Sequence, residues 1–518
     1  MRLIIVSFLL LTFSGSIEAR AGGAPAGISF TVTGFQVTGD NPLSAKATEA
    51  VLRPYTGEHT GPERLQAASD ALQSELGARG YSFHRVVLPP QTLQDGVVRL
   101  EVVEFELGEV DVENNRHFDD RNVLASLPGL EEGQAPNVRD LSRALRFANA
   151  HPAKQLRIAF NENDDTHAID ATVEVEDRNP GSFFSVLQNT GSEETGDWRM
   201  SLGYQYSNLF DRDHSVSLLY TTSPDDTDAV RQIGVNYVIP FYRVAGSLSL
   251  TYSDSNVESG VVQDFFQVSG AGTVAGIHYL HTFQDRGIYR HEAEIGYEDK
   301  LFEHDLAFNG QPLADIVDVR ANPVSLTYRG RVVGVRDIFG FELAGVSNRP
   351  GGSHSDAAAY TANRAGADPE WNAVRYAFAY SHRFGNDWAV SLRYRAQSAG
   401  EPLVPGEQFG LGGAQSLRGF EERELLADNG WHTNLEVLAP PLGESGISLL
   451  AFYDLGHLEN EGDTGQGAQV DPASAGVGLR WLWREQLSIG ADAASVLEGA
   501  GDTADGDTTL HFSFFYRF

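Results

Sequence analysis

The chain has 518 residues, with 38 Lys plus Arg against 71 Asp plus Glu and a formal charge of −33. That length calls for two or more domains, and the acidity argues against a nucleic-acid partner, whose phosphates need a basic footprint. The absence of cysteine excludes a disulfide framework, thiolate metal sites and cysteine catalysis.

In chain order, Met1-Arg2 precedes an apolar run from Leu3 to Phe13, and Ala19-Arg20-Ala21 offers a small-x-small cleavage site. This is the pattern of a secretory signal over 1–21. The run is too short for a membrane-spanning helix, and no later stretch reaches the roughly 18 apolar residues that one needs. The protein is therefore expected to be exported, and any membrane crossing must use strands.

Two similar α+β units are expected next, over 28–104 and 105–177. The first reads strand 28–38, helix 45–52, helix 62–80, strand 81–88 and strand 97–104; Leu65, Ala68, Leu72 and Leu76 share one helical face. The second reads strand 107–113, helix 119–127, helix 137–148, strand 155–160 and strand 167–176, with Val138, Leu141, Leu145 and Ala148 on one face. Each unit suggests a three-stranded sheet with two helices on one side. Their sheet edges could accept an extended strand, or the units could be plain spacers.

After Arg178-Asn179-Pro180-Gly181 helical periodicity gives way to alternation. Trp198, Met200, Leu202, Tyr204 and Tyr206 alternate with Arg199, Ser201, Gly203, Gln205 and Ser207; Leu510, Phe512, Phe514, Tyr516 and Phe518 form the apolar face of the last strand. Period two with one apolar face marks a half-buried strand. A soluble sandwich or a membrane barrel could bury that face. Long strands, aromatic residues near their ends and an alternation of short and long connections favour the barrel. About sixteen antiparallel strands are expected between 182–190 and 508–518, an even number as bacterial barrels prefer; the eighth and ninth are read as 316–329 and 331–346, with the turn at Gly330. The short turns then face the periplasm and the longer, acidic loops face outward.

The most patterned loop is the sixth outer one, 399–430. It holds Gln408-Phe-Gly-Leu-Gly-Gly-Ala-Gln-Ser-Leu-Arg-Gly-Phe420. Locally this is a glycine-rich loop with an arginine; loops of such length are functional or disordered. On the following strand Glu436 is in phase with His432 and Asn434, opposite Trp431, Leu435 and Val437, so it should face the lumen. On the next strand Phe452 and Asp454 share the face opposite Leu449 and Tyr453. Gly476 and Gly478 leave the neighbouring lumenal wall bare. Arg418 could therefore fold inward and grip Asp454 bidentately in a wet lumen. No catalytic set of nucleophile, base and orienter is evident, so no enzyme activity and no cofactor are expected. Asp502, Asp505 and Asp507 lack EF-hand spacing and read as a turn, so no metal site is expected.

These motifs resemble the outer-membrane transporters of two-partner secretion, the haemolysin secretion/activation type, within the superfamily that includes the barrel-assembly protein. Leu417-Arg418-Gly419-Phe420 is similar to the family's Val/Ile-Arg-Gly-Phe/Tyr tip of the sixth loop, with Leu417 replacing the β-branched residue. Phe452-Tyr453-Asp454-Leu455-Gly456 resembles its Phe-x-Asp-x-Gly wall motif. Leu88-Pro89-Pro90-Gln91 through Asp95-Gly96 to Glu104 resembles the end of a polypeptide-transport-associated (POTRA) module. The resemblance implies two periplasmic POTRA modules before an all-β outer-membrane barrel of a Gram-negative bacterium. The partner would be a secreted exoprotein, captured unfolded by the modules and passed to the cell surface. Phe518 resembles the C-terminal signal read by the barrel-assembly machinery, and outer-membrane lipid and lipopolysaccharide would surround the barrel. About six residues, Gly22–Gly27, precede the first strand, so no plug helix is expected there. The alternatives are a factor that assembles other outer-membrane proteins, an outer-membrane hydrolase, or an adhesin acting through its outer loops.

Overall fold

The computed structural model describes residues 29–518 apart from 164–167, 193–194, 258–260, 263–265, 268–270, 304–306, 309–310, 313–316, 463–468 and 485. The expected signal at 1–21 and the segment Gly22–Gly27 lie outside the described residues. The chain divides into two compact units, one ending at Phe105 and one beginning at Glu106.

The first unit opens with β1 (Ser29–Val32) and β2 (Gly34–Gly39), one expected strand broken at Thr33. It continues with α1 (Ala45–Leu52), β3 (Gly57–Thr60), α2 (Glu63–Ala78), β4 (His84–Val87) and β5 (Val97–Glu104). The sheet order is β2-β5-β4, while β1 pairs with β3, a strand that alternation did not reveal. Leu72 and Leu76 of α2 are fully buried against Leu100 and Val102. The β4 edge is occupied from within. The Gln73 side chain donates to the carbonyl of His84 at 2.8 Å and accepts from the N–H of Val86 at 2.6 Å. Gln91 does the same to Arg99 of β5, at 2.8 and 2.7 Å. Each glutamine amide thus stands in for a peptide group of a neighbouring strand, which gives the Pro-Pro-Gln segment a structural reason.

The second unit begins with β6 (Leu107–Glu113), α3 (Asp120–Ala125), α4 (Val138–Ala148), β7 (Lys154–Glu162) and β8 (Ile169–Asp177), its sheet ordered β6-β8-β7. The core face of α4 is Leu141, Ala144 and Ala148; Leu145, expected there, is only half buried. This module rests on short turns of the barrel. Lys154, fully buried, donates to Asp213 at 2.6 Å and to the side-chain oxygen of Asn122 at 2.7 Å. Asn122 and Tyr242 also donate to Asp213, at 2.9 and 2.5 Å. Burial lowers the Lys154 pKa against the pull of Asp213, and burial together with Asp213 raises that of Tyr242. Arg146 reaches a further turn, donating to the Phe283 carbonyl at 2.7 Å.

The rest of the chain is a closed antiparallel barrel of 16 strands, counting the interrupted eighth and fourteenth once each. They are Gly181–Gln188, Arg199–Leu209, His214–Thr222, Gln232–Phe241, Gly246–Ser255, Gly272–Thr282, Tyr289–Phe302, Val319–Ala321 with Pro323–Val333, Asp337–Asn348, Asn372–Arg383, Ala389–Ala399, Asn429–Leu438, Ile447–Glu459, Gln469–Val470 with Ala473–Trp483, Leu487–Glu498 and Thr508–Arg517. The turn after the eighth strand falls at 334–336 rather than 330; Gly330 stays in the strand, leaving room for the ring of Phe341. Closure removes every sheet edge from the barrel. The outward positions Leu202, Leu218, Ile277, Ile295, Leu326, Val374, Leu449 and Val477 are exposed apolar side chains. So broad an apolar belt on a described surface is what lipid requires.

The lumenal latch and the family

The sixth outer loop enters from the eleventh strand and returns to the twelfth. A ladder of three residue pairs, Phe409–Leu411 against Leu425–Ala427, carries it inward as a hairpin. Gly412 and Gly413 have φ of 119° and 88°, and Gly419 has 104°, a region where side chains strain the backbone. Ser416 closes the tip by donating to the Gly412 carbonyl at 2.7 Å. Leu417 and Phe420 are buried with Leu411, Leu425, Leu458 and Val496. This apolar packing offsets the entropy of ordering the loop.

Between those two anchors stands Arg418. Its Nε and Nη2 donate to Oδ2 and Oδ1 of Asp454, both at 2.7 Å, and its Nη1 donates to Glu436 at 2.9 Å. The guanidinium lies 3.5 Å from the centroid of the Phe452 ring, a cation–π contact. The pair is not wet: Arg418 is 1% and Asp454 0% exposed. Breaking one side of such a buried pair leaves an uncompensated charge. The surroundings balance it. Glu436 also takes Arg393 at 3.2 Å, and Asp492, 3.6 Å from Arg418, takes Arg480 at 2.6 Å.

The bare wall serves the latch indirectly. A side chain at Gly476 would collide with the Phe452 ring, and one at Gly478 with the Asp492 carboxylate, so the glycines make room for the latch's partners rather than for the loop tip. Gly456 makes room for Leu411, 2.5 Å from where its Cβ would stand. Phe518 is far from the latch; its backbone exchanges two 2.9 Å hydrogen bonds with Phe183, its ring stacks on Phe183 at 5.8 Å, and the residue is 62% exposed.

Alternation puts Asn434 on the lumenal phase without assigning it to the tip, and does not single out Thr509 or His511 at all. Asn434 donates to the Ser416 carbonyl at 2.5 Å and to Asp454 at 2.8 Å. The N–H of Gly419 donates to His511 Nε2 at 2.9 Å, and Thr509 donates to the Gly419 carbonyl at 2.9 Å. The tip is thus held by the twelfth, thirteenth and sixteenth strands at once. No group of residues that could hold a metal occurs among the described residues.

Comparison with known proteins places this arrangement. Residues 168–300 and 343–481 match the model of the haemolysin secretion/activation proteins ShlB/FhaC/HecB, and residues 30–104 match the ShlB-type POTRA domain. The chain belongs to this family. It is 22% identical over 512 residues to the outer membrane transporter CdiB of Escherichia coli, covering 94% of this chain and 80% of CdiB. It is 18% identical over 491 residues to the heme/hemopexin transporter protein HuxB of Haemophilus influenzae, covering 92% of this chain and 86% of HuxB. The structure of CdiB from Escherichia coli superposes with a TM-score of 0.78 at 18% identity, over 98% of this chain and 93% of that one. Members of the family are transporters rather than enzymes, and they work with a secreted exoprotein. This ShlB-type chain is accordingly an outer-membrane transporter of two-partner secretion, with its N-terminal POTRA domain on the periplasmic side.

Proposed function

We propose that the chain works as three parts after removal of a signal at 1–21: POTRA modules at 28–104 and 105–177 that capture an unfolded exoprotein, and a barrel at 178–518 that conducts it. In the barrel the inward loop 399–430 is the gate element, with Leu417, Arg418, Gly419 and Phe420 as its tip and Phe452, Asp454, Gly456, Glu436, Gly476 and Gly478 as its wall. The observation that carries this is the buried, bidentate Arg418–Asp454 pair. The three positive-φ glycines Gly412, Gly413 and Gly419 let the hairpin turn back into the lumen and present Arg418 to that pair.

Capture uses strand addition. Since Gln73 already occupies the β4 edge, the client adds along β2. Phe518, exposed at the end of the last strand, supports a role as the signal for the barrel-assembly machinery, and the apolar outer belt supports direct contact with lipid and lipopolysaccharide.

The test is secretion of the exoprotein by cells carrying Arg418→Ala or Asp454→Ala. Both variants are expected to insert as folded barrels and to export nothing. Normal export by both overturns the gating role. Loss of many outer-membrane proteins on depletion, rather than of one exoprotein, would instead indicate an assembly factor.

A further inference from the structure

A second buried arginine–carboxylate pair lies in the outer mouth. The fifth outer loop, 349–371, contains a short helix, α5 (Ala357–Asn363), capped by the Asp356 side chain on the N–H of Ala359 at 2.9 Å. Arg364 follows it, 7% exposed, and binds Asp428, 0% exposed, with both guanidinium termini. Asp428 stands where the sixth loop returns to the wall. Its carboxylate also accepts from the N–H of Leu403, at the start of that loop, at 2.8 Å, and from the N–H of Glu461, in the seventh outer loop, at 2.9 Å. Arg364 in turn donates to the Leu403 carbonyl at 2.6 Å. One carboxylate therefore ties three outer loops together.

The helix does not lie outside the barrel. Ala359, Tyr360 and Trp371 pack into one apolar cluster with Phe302, Val346, Ala373 and Ala399. Phe302 shares the strand phase of Glu298 and Lys300, opposite the exposed Tyr297. Ala373 is opposite Val374 and Tyr376, both exposed to lipid. These wall residues point into the lumen, so α5 packs against the inner face of the mouth. Tyr360 fixes it there, its hydroxyl donating to the Arg320 carbonyl at 3.1 Å and accepting from Asn348 at 2.9 Å.

We infer that the fifth loop is a lid across the outer mouth, and that Arg364 and Asp428 are positioning residues that couple the lid to the root of the sixth loop. The inference rests on the transport function given above. A client leaving the lumen must displace the lid, and displacing it breaks the Arg364–Asp428 pair at the base of the gate loop. Exit and gate release are thereby one event.

Two measurements decide this, both on the full-length chain. In planar bilayers Arg364→Gln and Asp428→Asn are expected to open spontaneously roughly a hundredfold more often than the parent, the scale of losing one partner of a buried pair. Arg364→Lys should restore part of the quiet state. Heat-shifted migration on gels checks that the barrels are folded. Because the chain has no cysteine, Gly366→Cys with Pro402→Cys tests a lock between the lid and the loop root; a Cβ at Gly366 would lie 3.6 Å from Cγ of Pro402, and since Gly366 has φ of 80° the reduced pair is the control for backbone strain. The oxidised protein should stop exporting and the reduced protein should export. Folded Arg364→Gln and Asp428→Asn pores as quiet as the parent, or unimpaired export by the oxidised pair, overturn the lid. Should Arg364→Gln fail to fold, the cysteine pair alone decides. Failure of the parent itself to export any exoprotein would instead overturn the transport function.

Discussion

Arg418 stacks on Phe452 while gripping Asp454, two residues further along the same strand and on the same face. One strand thus supplies both the floor under the guanidinium and the carboxylate at its edge. Alternation makes this possible, since positions two apart project to the same side. The neighbouring strand must then be empty where the ring lies, and Gly476 is that vacancy.

Gly476→Ala should therefore damage the latch without touching it. The added methyl meets the Phe452 ring and the Ala493 carbonyl, and overpacking of this kind costs about 1–3 kcal/mol. Phe452 must tilt, and the cation above it loses its seat. Export is expected to fall toward that of Arg418→Ala while the barrel still inserts. Gly345→Ala, where a Cβ meets nothing within 4 Å, serves as the control and should export normally. Unchanged export by Gly476→Ala would show that Phe452 has slack.

Client capture is expected on one edge of the first module. With photo-reactive side chains at Gln36 on β2 and at Arg85 on β4, both exposed, the exoprotein should cross-link from Gln36. The β4 edge is filled by Gln73, so Arg85 should give little product. Replacing Gln73 by Leu vacates that edge and leaves two backbone groups unpaired, a cost of about 1–3 kcal/mol each. The variant should gain cross-links at Arg85. Equal cross-linking from both positions in the parent chain would remove the edge preference.

The junction between the second module and the barrel turns should behave as one buried polar unit. Lys154→Met leaves Asp213 without its cation, and losing one side of such a pair costs about 3–5 kcal/mol. Amide exchange at 154–158 and at 213–214 should rise together, while the barrel keeps its heat-shifted migration. Lys154→Met with Asp213→Asn should recover part of the protection, because the double change buries no charge, keeps a residue that tolerates the φ of 60° at that position and leaves Asn122 and Tyr242 an acceptor. Fast exchange at only one of the two segments would separate the module from the turn.

Much of the architecture was legible because alternation is a local signal. Many barrel strands declared themselves by an apolar face of period two, and the phases of Glu436, Asp454 and Phe452 followed from the same count. The turn near Gly330 was misplaced because glycine there makes room for Phe341 instead of breaking the strand. The α4 face was shifted because Ala144 is buried beside Leu141 and Ala148 while Leu145, one position on, is only half buried. What stayed hidden were polar ties between segments far apart in sequence. Gly419 meets His511 across 92 positions, Lys154 meets Asp213 across 59, and Arg364 meets Asp428 across 64. Neither period nor composition marks such a partner. Gln73 and Gln91 are ordinary polar residues until a strand edge needs an amide.

Acid should loosen the second module where it meets the barrel. The Asp177 carboxylate, 1% exposed as a side chain, accepts from the N–H of Arg116 at 2.8 Å and of His117 at 2.7 Å. Burial alone would raise its pKa, but those backbone donors and the His117 ring together hold it below the usual value. A carboxyl depressed in the folded state binds its proton less readily than the unfolded chain does. Its stabilisation is therefore fully present above the unfolded value of about 3.9 and is lost as pH falls through the lower, folded one. Asp177→Asn keeps the shape but forfeits the charge-assisted bonds, worth about 1.5–3 kcal/mol each. Amide exchange at Arg116 and His117 should thus be slow in the parent at neutral pH and should quicken below about pH 4 relative to its intrinsic rate. In Asp177→Asn it should be quick throughout and lose that dependence. An unchanged pH profile in the variant would assign the acid sensitivity to another group.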